Sequence, residues 1–338
     1  MGPDLPSRFW GGIFGVAVGD ALGVPVEFCR RSALDEHPVR HMRGFGTHYQ
    51  PPGTWSDDTS MTLCLLEGLL DGLSWNDIGA LLERWLLEKH WTPHGVVFDH
   101  GRTTRDAILA YAHHSDRRDA GLREEWDNGN GSLVRTLPVA LLCGEAGSAQ
   151  LAEAAHSASR LTHAHPRSQM ACGICTDLAR RLLDSLPPDE AWDATRTWAR
   201  CYYLDKFPGE TTLFSRILDR IAADYRKEPR GAVPSSGYVL DTLHAALWAF
   251  FSTNSFDACC LAAVNLGDDA DSIGAVAGGL AGIAYGYESI PRQWLEQIVR
   301  RDDIADLVER ACVAIADDPV SCPAELPACA PPQGGRAG

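Results

Sequence analysis

Two short acidic stretches hold the residues most able to do chemistry. In WSDDTSM (55–61), Ser56 precedes Asp57 and Asp58 where an apolar helical pattern begins, with Met61, Cys64, Leu65, Leu69 and Leu73 at spacings of three and four. Taken alone this is an ordinary helix start, a serine cap and two carboxylates against the positive end of the helix dipole. The second stretch, GDDADS (267–272), repeats the grammar near the other end of the chain. Asp269 and Asp271 are two apart, so a continuous helix would point them to nearly opposite faces. They converge only in the turn entering the helix, where Gly267 supplies the flexible bend and Ser272 stands at the first helical positions.

Four carboxylates and two hydroxyls gathered in one place cannot stay ionised unaided. Like charges about 4 Å apart repel by about 4 kcal/mol per pair at an effective dielectric of about 20. Either the carboxylate pKa values rise or cations fill the gap. An all-oxygen donor set without cysteine suits magnesium or manganese rather than zinc, and this many carboxylates suggests two ions.

The elements that must position these groups are helical from end to end. Periodicity predicts helices over 8–23, 57–73, 76–90, 102–113, 133–144, 148–160, 167–185, 189–203, 210–226, 240–252, 256–265, 272–287 and 303–315, with loops at 29–55, 91–101 and 126–132 and almost no strand signal. Glycine recurs every fourth residue in two of them, at Gly11, Gly15, Gly19 and Gly23 and at Gly274, Gly278, Gly282 and Gly286. Each helix-interior glycine costs up to about 1 kcal/mol relative to alanine, which close packing of the glycine faces must offset. Both helices are therefore expected at the centre of the fold, where their ends are rigid places for a site. Asp20, inside the first stripe, reads as structural support.

The 338 residues suffice for a large buried core, read as one domain over 7–318 with a Pro-, Ala- and Gly-rich, disordered tail at 319–338. A net charge of −15 disfavours a general nucleic-acid or anionic-membrane surface. No apolar stretch reads as long enough to span a bilayer, and MGPDLPSRFW lacks the basic and apolar regions of a signal peptide, so a cytoplasmic location is expected. Eleven scattered cysteines suit reduced, mostly buried thiols, and the single CxxC, Cys172 to Cys175, has no second pair to make a zinc site.

Together these motifs resemble the ADP-ribosylglycohydrolase family, which includes the dinitrogenase-reductase-activating glycohydrolase and the ADP-ribosylarginine and ADP-ribosylserine hydrolases. GVAVGDALGVPVEF (15–28) is similar to the family's opening helix and following acid, WSDDTSM to its first metal motif, and GDDADSIGAVAGGLAGIAYG to its second. FDHGRTT (98–104), GNGSLVR (129–135), THAHP (162–166) and GYVLDTLHAALWAF (237–250) match family patterns in the right order. The resemblance implies an all-α, compact orthogonal multi-helix bundle with a dimetal site. It also implies that Ser56, Asp57, Asp58, Asp269, Asp271 and Ser272 hold two magnesium or manganese ions that grip the ribose hydroxyls and position the attacking water.

Glu27 then matches the family's mobile acid and Asp99 an aspartate acting on the ribosyl unit, although on position alone Glu27 equally reads as a surface carboxylate after a helix. Asn130, Gly131 and Ser132 can offer backbone N–H groups to phosphates at the start of the next helix. His163 or His165 can contact phosphate or ribose, and Tyr238 can stack on adenine. Serine stands at 56 and 272 where the family commonly has threonine, preserving an oxygen ligand. The implied activity is removal of ADP-ribose from a modified protein side chain, arginine foremost, releasing ADP-ribose. The alternatives are a relative that binds ADP-ribose without turnover and a hydrolase acting on serine-linked or nucleotide-linked ADP-ribose. A ferritin-like dimetal site is disfavoured, since the single ExxH, Glu153 to His156, lacks its partner.

Overall fold

The computed structural model describes residues 2–143, 147–317 and 323. The tail expected over 319–338 lies, Pro323 apart, outside them. Among the described residues sixteen α-helices run in the order α1 Leu5–Gly23, α2 Arg31–Glu36, α3 Asp57–Leu70, α4 Trp75–Glu88, α5 Arg102–Ala110, α6 Leu137–Leu142, α7 Ser148–Arg160, α8 Pro166–Leu183, α9 Pro188–Lys206, α10 Thr211–Leu218, α11 Ala222–Lys227, α12 Val239–Ser252, α13 Phe256–Val264, α14 Ala270–Tyr285, α15 Arg292–Leu295 and α16 Arg301–Asp317. No strand occurs among the described residues; two isolated bridges, Leu122 with His163 and Gly129 with Tyr238, tie loops together.

The two glycine-striped helices form the antiparallel centre. A Cβ added at Gly11, Gly15 or Gly19 would lie 2.1, 2.2 or 1.9 Å from the carbonyl oxygens of Gly282, Gly278 and Gly274, and one at Gly23 would lie 2.3 Å from Asp271 Cα. Backbone therefore meets backbone along the whole stripe, and the dispersion and burial gained there offset the poor helix propensity of glycine. Helices α3, α8, α12 and α13 pack around the pair, α4 rests on α3, and α7 and α9 rest on α8. Arg8 closes one end, its guanidinium donating to the carbonyls of Leu182, Ile283 and Ala284 at the C-terminal ends of α8 and α14.

Several sequence expectations need correction. Residues Leu5–Val26 are, by length and composition, apolar enough to cross a bilayer; their apolar surface is instead spent in the core, against α14 and its neighbours. The helix expected over 133–144 begins only at Leu137, with Pro138 in its first turn, because residues 130–136 are consumed in tight turns such as Leu133 N–H to Asn130 O. The helix expected over 210–226 breaks into α10 and α11. The buried Trp192 indole captures the Arg220 carbonyl, and the Asp224 carboxylate caps the Ile221 N–H. Short α2 and α15 lie in stretches too brief to show a period. Among the described residues eight cysteines are free, five of them buried, whereas Cys143 is disulfide-bonded and so departs from the all-reduced expectation.

The stripe generates a stability prediction. Gly19→Ala, although it gains up to about 1 kcal/mol of intrinsic helix propensity, should be net destabilising through an overpacking cost of about 1–3 kcal/mol or more. Gly209→Ala, where an added Cβ meets nothing, should stay within about 0.5 kcal/mol of wild type. Urea unfolding midpoints of the two variants check this.

Candidate metal centre and substrate cleft

Helix α1 holds the start of α3 in place. The Asp20 carboxylate accepts hydrogen bonds from Ser56 N–H (2.9 and 3.0 Å), Thr59 N–H (3.1 Å) and the Thr59 hydroxyl (2.5 Å). Ser56 is the N-cap of α3, accepting from Asp58 N–H at 3.2 Å, which leaves Asp57 and Asp58 in the first turn. The start of α14 sits one helical turn away along the same helix, on Gly23. There Gly267 turns at φ +77°, Asp269 is the cap, and Asp271 and Ser272 lie in the first turn. The two acidic motifs thus meet, Asp57 and Asp58 from one and Asp269 and Ser272 from the other lining a single cleft.

Glu27 joins them from the turn after α1. Phe28 N–H donates to Asp268 O at 2.6 Å and Asp268 N–H donates to Cys29 O at 2.9 Å, locking the segment that follows Glu27 against the second motif. Carboxylate oxygens of Glu27, Asp269 and Asp271 lie within 4.8 Å of one another. A second group of the same spacing comprises Glu27, His48 and Asp99.

Burial first, and neighbouring carboxylates second, push Asp57, Asp58 and Asp271 well above the usual carboxylate range. Glu27 is pushed up to about 10, by burial and then by Asp99 and Asp269. Burial lifts Asp20 to about 7 despite its hydrogen bonds. Asp58 Oδ2 is buried with no hydrogen-bond partner. A partnerless carboxylate oxygen among repelling carboxylates is what a hard divalent cation satisfies, so this all-oxygen set fits such an ion.

These residues floor a cleft of about 690 Å³, a volume suited to a dinucleotide-sized ligand. Glu27, Asp57, Asp58, Asp99, Asn130, Gly131, His163, Asp269 and Ser272, all expected site residues, line it. Asp271 lies beneath, almost fully buried. Asn130 donates to Asp269 Oδ2 at 2.5 Å and to Thr242 Oγ1 at 2.8 Å, so its amide also orients a metal-site carboxylate. His163 Nδ1 engages the Thr162 hydroxyl at 2.7 Å, and burial lowers the imidazole to about 3, presenting a neutral ring to the cleft.

Of the other expected residues, Ser56 is the buried cap of α3, and Ser132, Tyr238 and His165 fall elsewhere. Ser132 is fully buried, its hydroxyl accepting from Ser159 Oγ and Cys172 Sγ, because the chain turns into the core before α6 begins. That late start also means that residues 130–132 are not the N-terminus of a helix. Tyr238 is not among the cleft-lining residues, although Ser236 and Gly237 are; its ring lies by the guanidinium groups of Arg167 and Arg216, 5.8 and 5.9 Å away. His165 caps α8 by accepting from Arg167 N–H.

The sequence pattern of the ADP-ribosylglycohydrolase family matches residues 1–320. The chain is similar to the ADP-ribosylarginine hydrolase Tri1 of Serratia proteamaculans (strain 568), with 34% identity over 302 residues covering 89% of this chain and 77% of that protein. The ADP-ribosyl-[dinitrogen reductase] glycohydrolase of Rhodospirillum rubrum is 32% identical over 299 residues, covering 88% of this chain and 92% of the relative. A solved structure, an ADP-ribosylglycohydrolase-related protein complex, superposes with a TM-score of 0.75 at 34% identity, covering 92% of this chain and 99% of its own. The chain belongs to the ADP-ribosylglycohydrolase family. It is accordingly an enzyme that hydrolyses glycosidic bonds.

The structure of this glycohydrolase also supplies cleft residues that sequence reasoning passed over. Arg102, Thr103 and Thr104 form the first turn of α5 and line the cleft with no side chain capping the helix, the arrangement that binds anions. Arg102 is aimed by Asp127 at 2.7 Å. Trp126 lines the mouth and is 72% exposed. Arg135, fully buried, donates to Gly131 O, Ala158 O and Thr162 Oγ1, bracing the 129–131 loop and the His163 turn at once. Phe28, Asp99 and Asp268 line the cleft at φ +59°, +48° and +54°, left-handed conformations that a functional site can impose.

The raised carboxylates set a pH dependence. Each contributes stability that is complete below its unfolded value, about 4, and is lost as pH climbs through its native value, about 7 for Asp20 and about 10 for Glu27. Without divalent ions the unfolding temperature should therefore fall between about pH 5 and pH 9. Magnesium or manganese should restore it, by more at pH 8 than at pH 5.5. Thermal scans with and without EDTA read both effects; a profile flat in pH and indifferent to metal contradicts the proposed cation site.

Proposed function

We propose that this glycohydrolase removes ADP-ribose from an ADP-ribosylated arginine side chain, with two divalent ions, magnesium or manganese, held by Ser56, Asp57, Asp58, Asp269, Asp271 and Ser272. The observation that carries this reading is the meeting of the two acidic motifs around the partnerless Asp58 Oδ2. The name of the Serratia relative favours arginine as the acceptor. Bound ions would hold the ribose hydroxyls and lower the pKa of a coordinated water towards neutrality.

The chain's own groups supply the rest. The uncapped first turn of α5, with Arg102, and the adjoining loop 129–131 offer donors to the diphosphate. Neutral His163 adds a hydrogen bond without adding charge. Glu27, kept protonated by burial and its acidic neighbours, can hand its proton to the guanidino nitrogen as the glycosidic bond breaks. Asp99, more exposed at the cleft wall, is suited to accept the proton from the attacking water. A guanidinium entering this acidic mouth is attracted by the same carboxylates that bind the ions, which suits a cationic acceptor.

The test is release of free ADP-ribose from a protein modified on arginine, assayed with magnesium, with manganese and with excess EDTA. Release should require a divalent ion. Glu27→Gln should lower kcat by about 10²- to 10⁴-fold, and Asp271→Asn should abolish the metal dependence together with turnover. Turnover from serine-linked but not arginine-linked substrate would overturn the acceptor assignment.

A further inference from the structure

We propose that His48 is a positioning residue for Glu27, holding its carboxyl group in place at the cleft; this rests on the hydrolytic reading above. His48 Nε2 is joined by a hydrogen bond to Glu27 Oε2 and lies 3.9 Å from Asp99 Oδ2, so one ring spans the two carboxylates assigned to proton transfer. Glu27 faces Asp269 and Asp271 on its other side. Among the described residues His48 is the cationic-type side chain paired with it, and no lysine or arginine is.

The loop carrying His48 is itself fastened to the Glu27 segment. Thr47 N–H donates to Pro25 O at 3.2 Å and the Thr47 hydroxyl donates to Glu27 O at 2.6 Å. A Cβ at Gly46 would come within 1.7 Å of Pro25 O, so backbone lies directly on backbone. Phe45 N–H to Gln50 O and Tyr49 N–H to Gly46 O close the loop into two tight turns, with Phe45 and Tyr49 in left-handed conformations. The imidazole then sits between the rings of Phe98 and Phe28, with centroids 5.4 and 6.1 Å away. Main chain and hydroxyl fasten the loop to the backbone around Glu27 while the imidazole reaches its carboxyl group, the costly kind of arrangement kept where a side chain must be aimed.

The experiment uses the full chain with manganese and an arginine-modified protein as substrate, and compares His48→Gln, His48→Asn and His48→Ala. A glutamine amide nitrogen reaches nearly to where Nε2 stands, whereas the amide of asparagine is one carbon too short. Displacing a reacting group by about 1 Å costs up to about 100-fold. The expected result is therefore a kcat lowered about 10- to 100-fold in His48→Asn and His48→Ala, with KM and calorimetric ADP-ribose affinity within about 3-fold of wild type and His48→Gln largely rescued. In a Glu27→Gln background, His48→Ala should add little, because its effect runs through Glu27. The proposal is overturned if His48→Asn and His48→Ala keep kcat within about 3-fold, if His48→Gln falls as far as His48→Ala, or if the losses are additive with Glu27→Gln. A wild-type protein that releases no ADP-ribose overturns the hydrolytic reading as well, whereas an active wild type with silent His48 variants overturns this inference alone.

Discussion

Mutual repulsion among buried carboxylates is the constraint on which the rest of the structure turns. Asp57, Asp58, Asp269, Asp271 and Glu27 would separate if the chain allowed it, so something rigid must hold them. Helix α1 does so twice over. Gly19 and Gly23 bring the start of α14 to van der Waals contact, and Asp20, between them, fastens the start of α3 by four hydrogen bonds. The helix-weakening glycines and a buried aspartate are thus two parts of one jig, each unfavourable locally and justified by the geometry they impose.

Around this jig the cleft is assembled mostly from loops pinned by polar contacts. The Gly129–Tyr238 bridge, the Leu122–His163 bridge and the buried Arg135 guanidinium convert irregular backbone into a fixed wall. Arg135 is charged and has main-chain carbonyls and a hydroxyl as its hydrogen-bond partners rather than a carboxylate. Such a group specifies one arrangement of its acceptors more than it adds stability.

Much of this was legible in the residues themselves. The two acidic motifs and both glycine stripes follow from local rules about caps, turns and helix propensity, and the structure places Ser56, Gly267 and Asp269 in the roles those rules assign. What escaped is non-local. Ser132 follows two residues that line the cleft, yet its hydroxyl turns inward because Ser159 and Cys172, from distant helices, meet it there. Tyr238 is held beside arginines on α8 and α10 that no spacing links to it. His48 and Trp126 sit in stretches without periodicity, where only the folded path of the loop reveals what a side chain faces. The break between α10 and α11 likewise depends on an indole in α9.

The pairing of α1 with α14 also bears on how the chain reaches its folded state. The two helices stand at residues 5–23 and 270–285, so the first is synthesised long before its partner exists. At about 5–20 residues per second of translation, the delay is on the order of ten to fifty seconds. Throughout that interval a segment apolar enough to enter a lipid bilayer lacks its main native partner. The burial of this first helix is therefore completed only after residue 285 has been made.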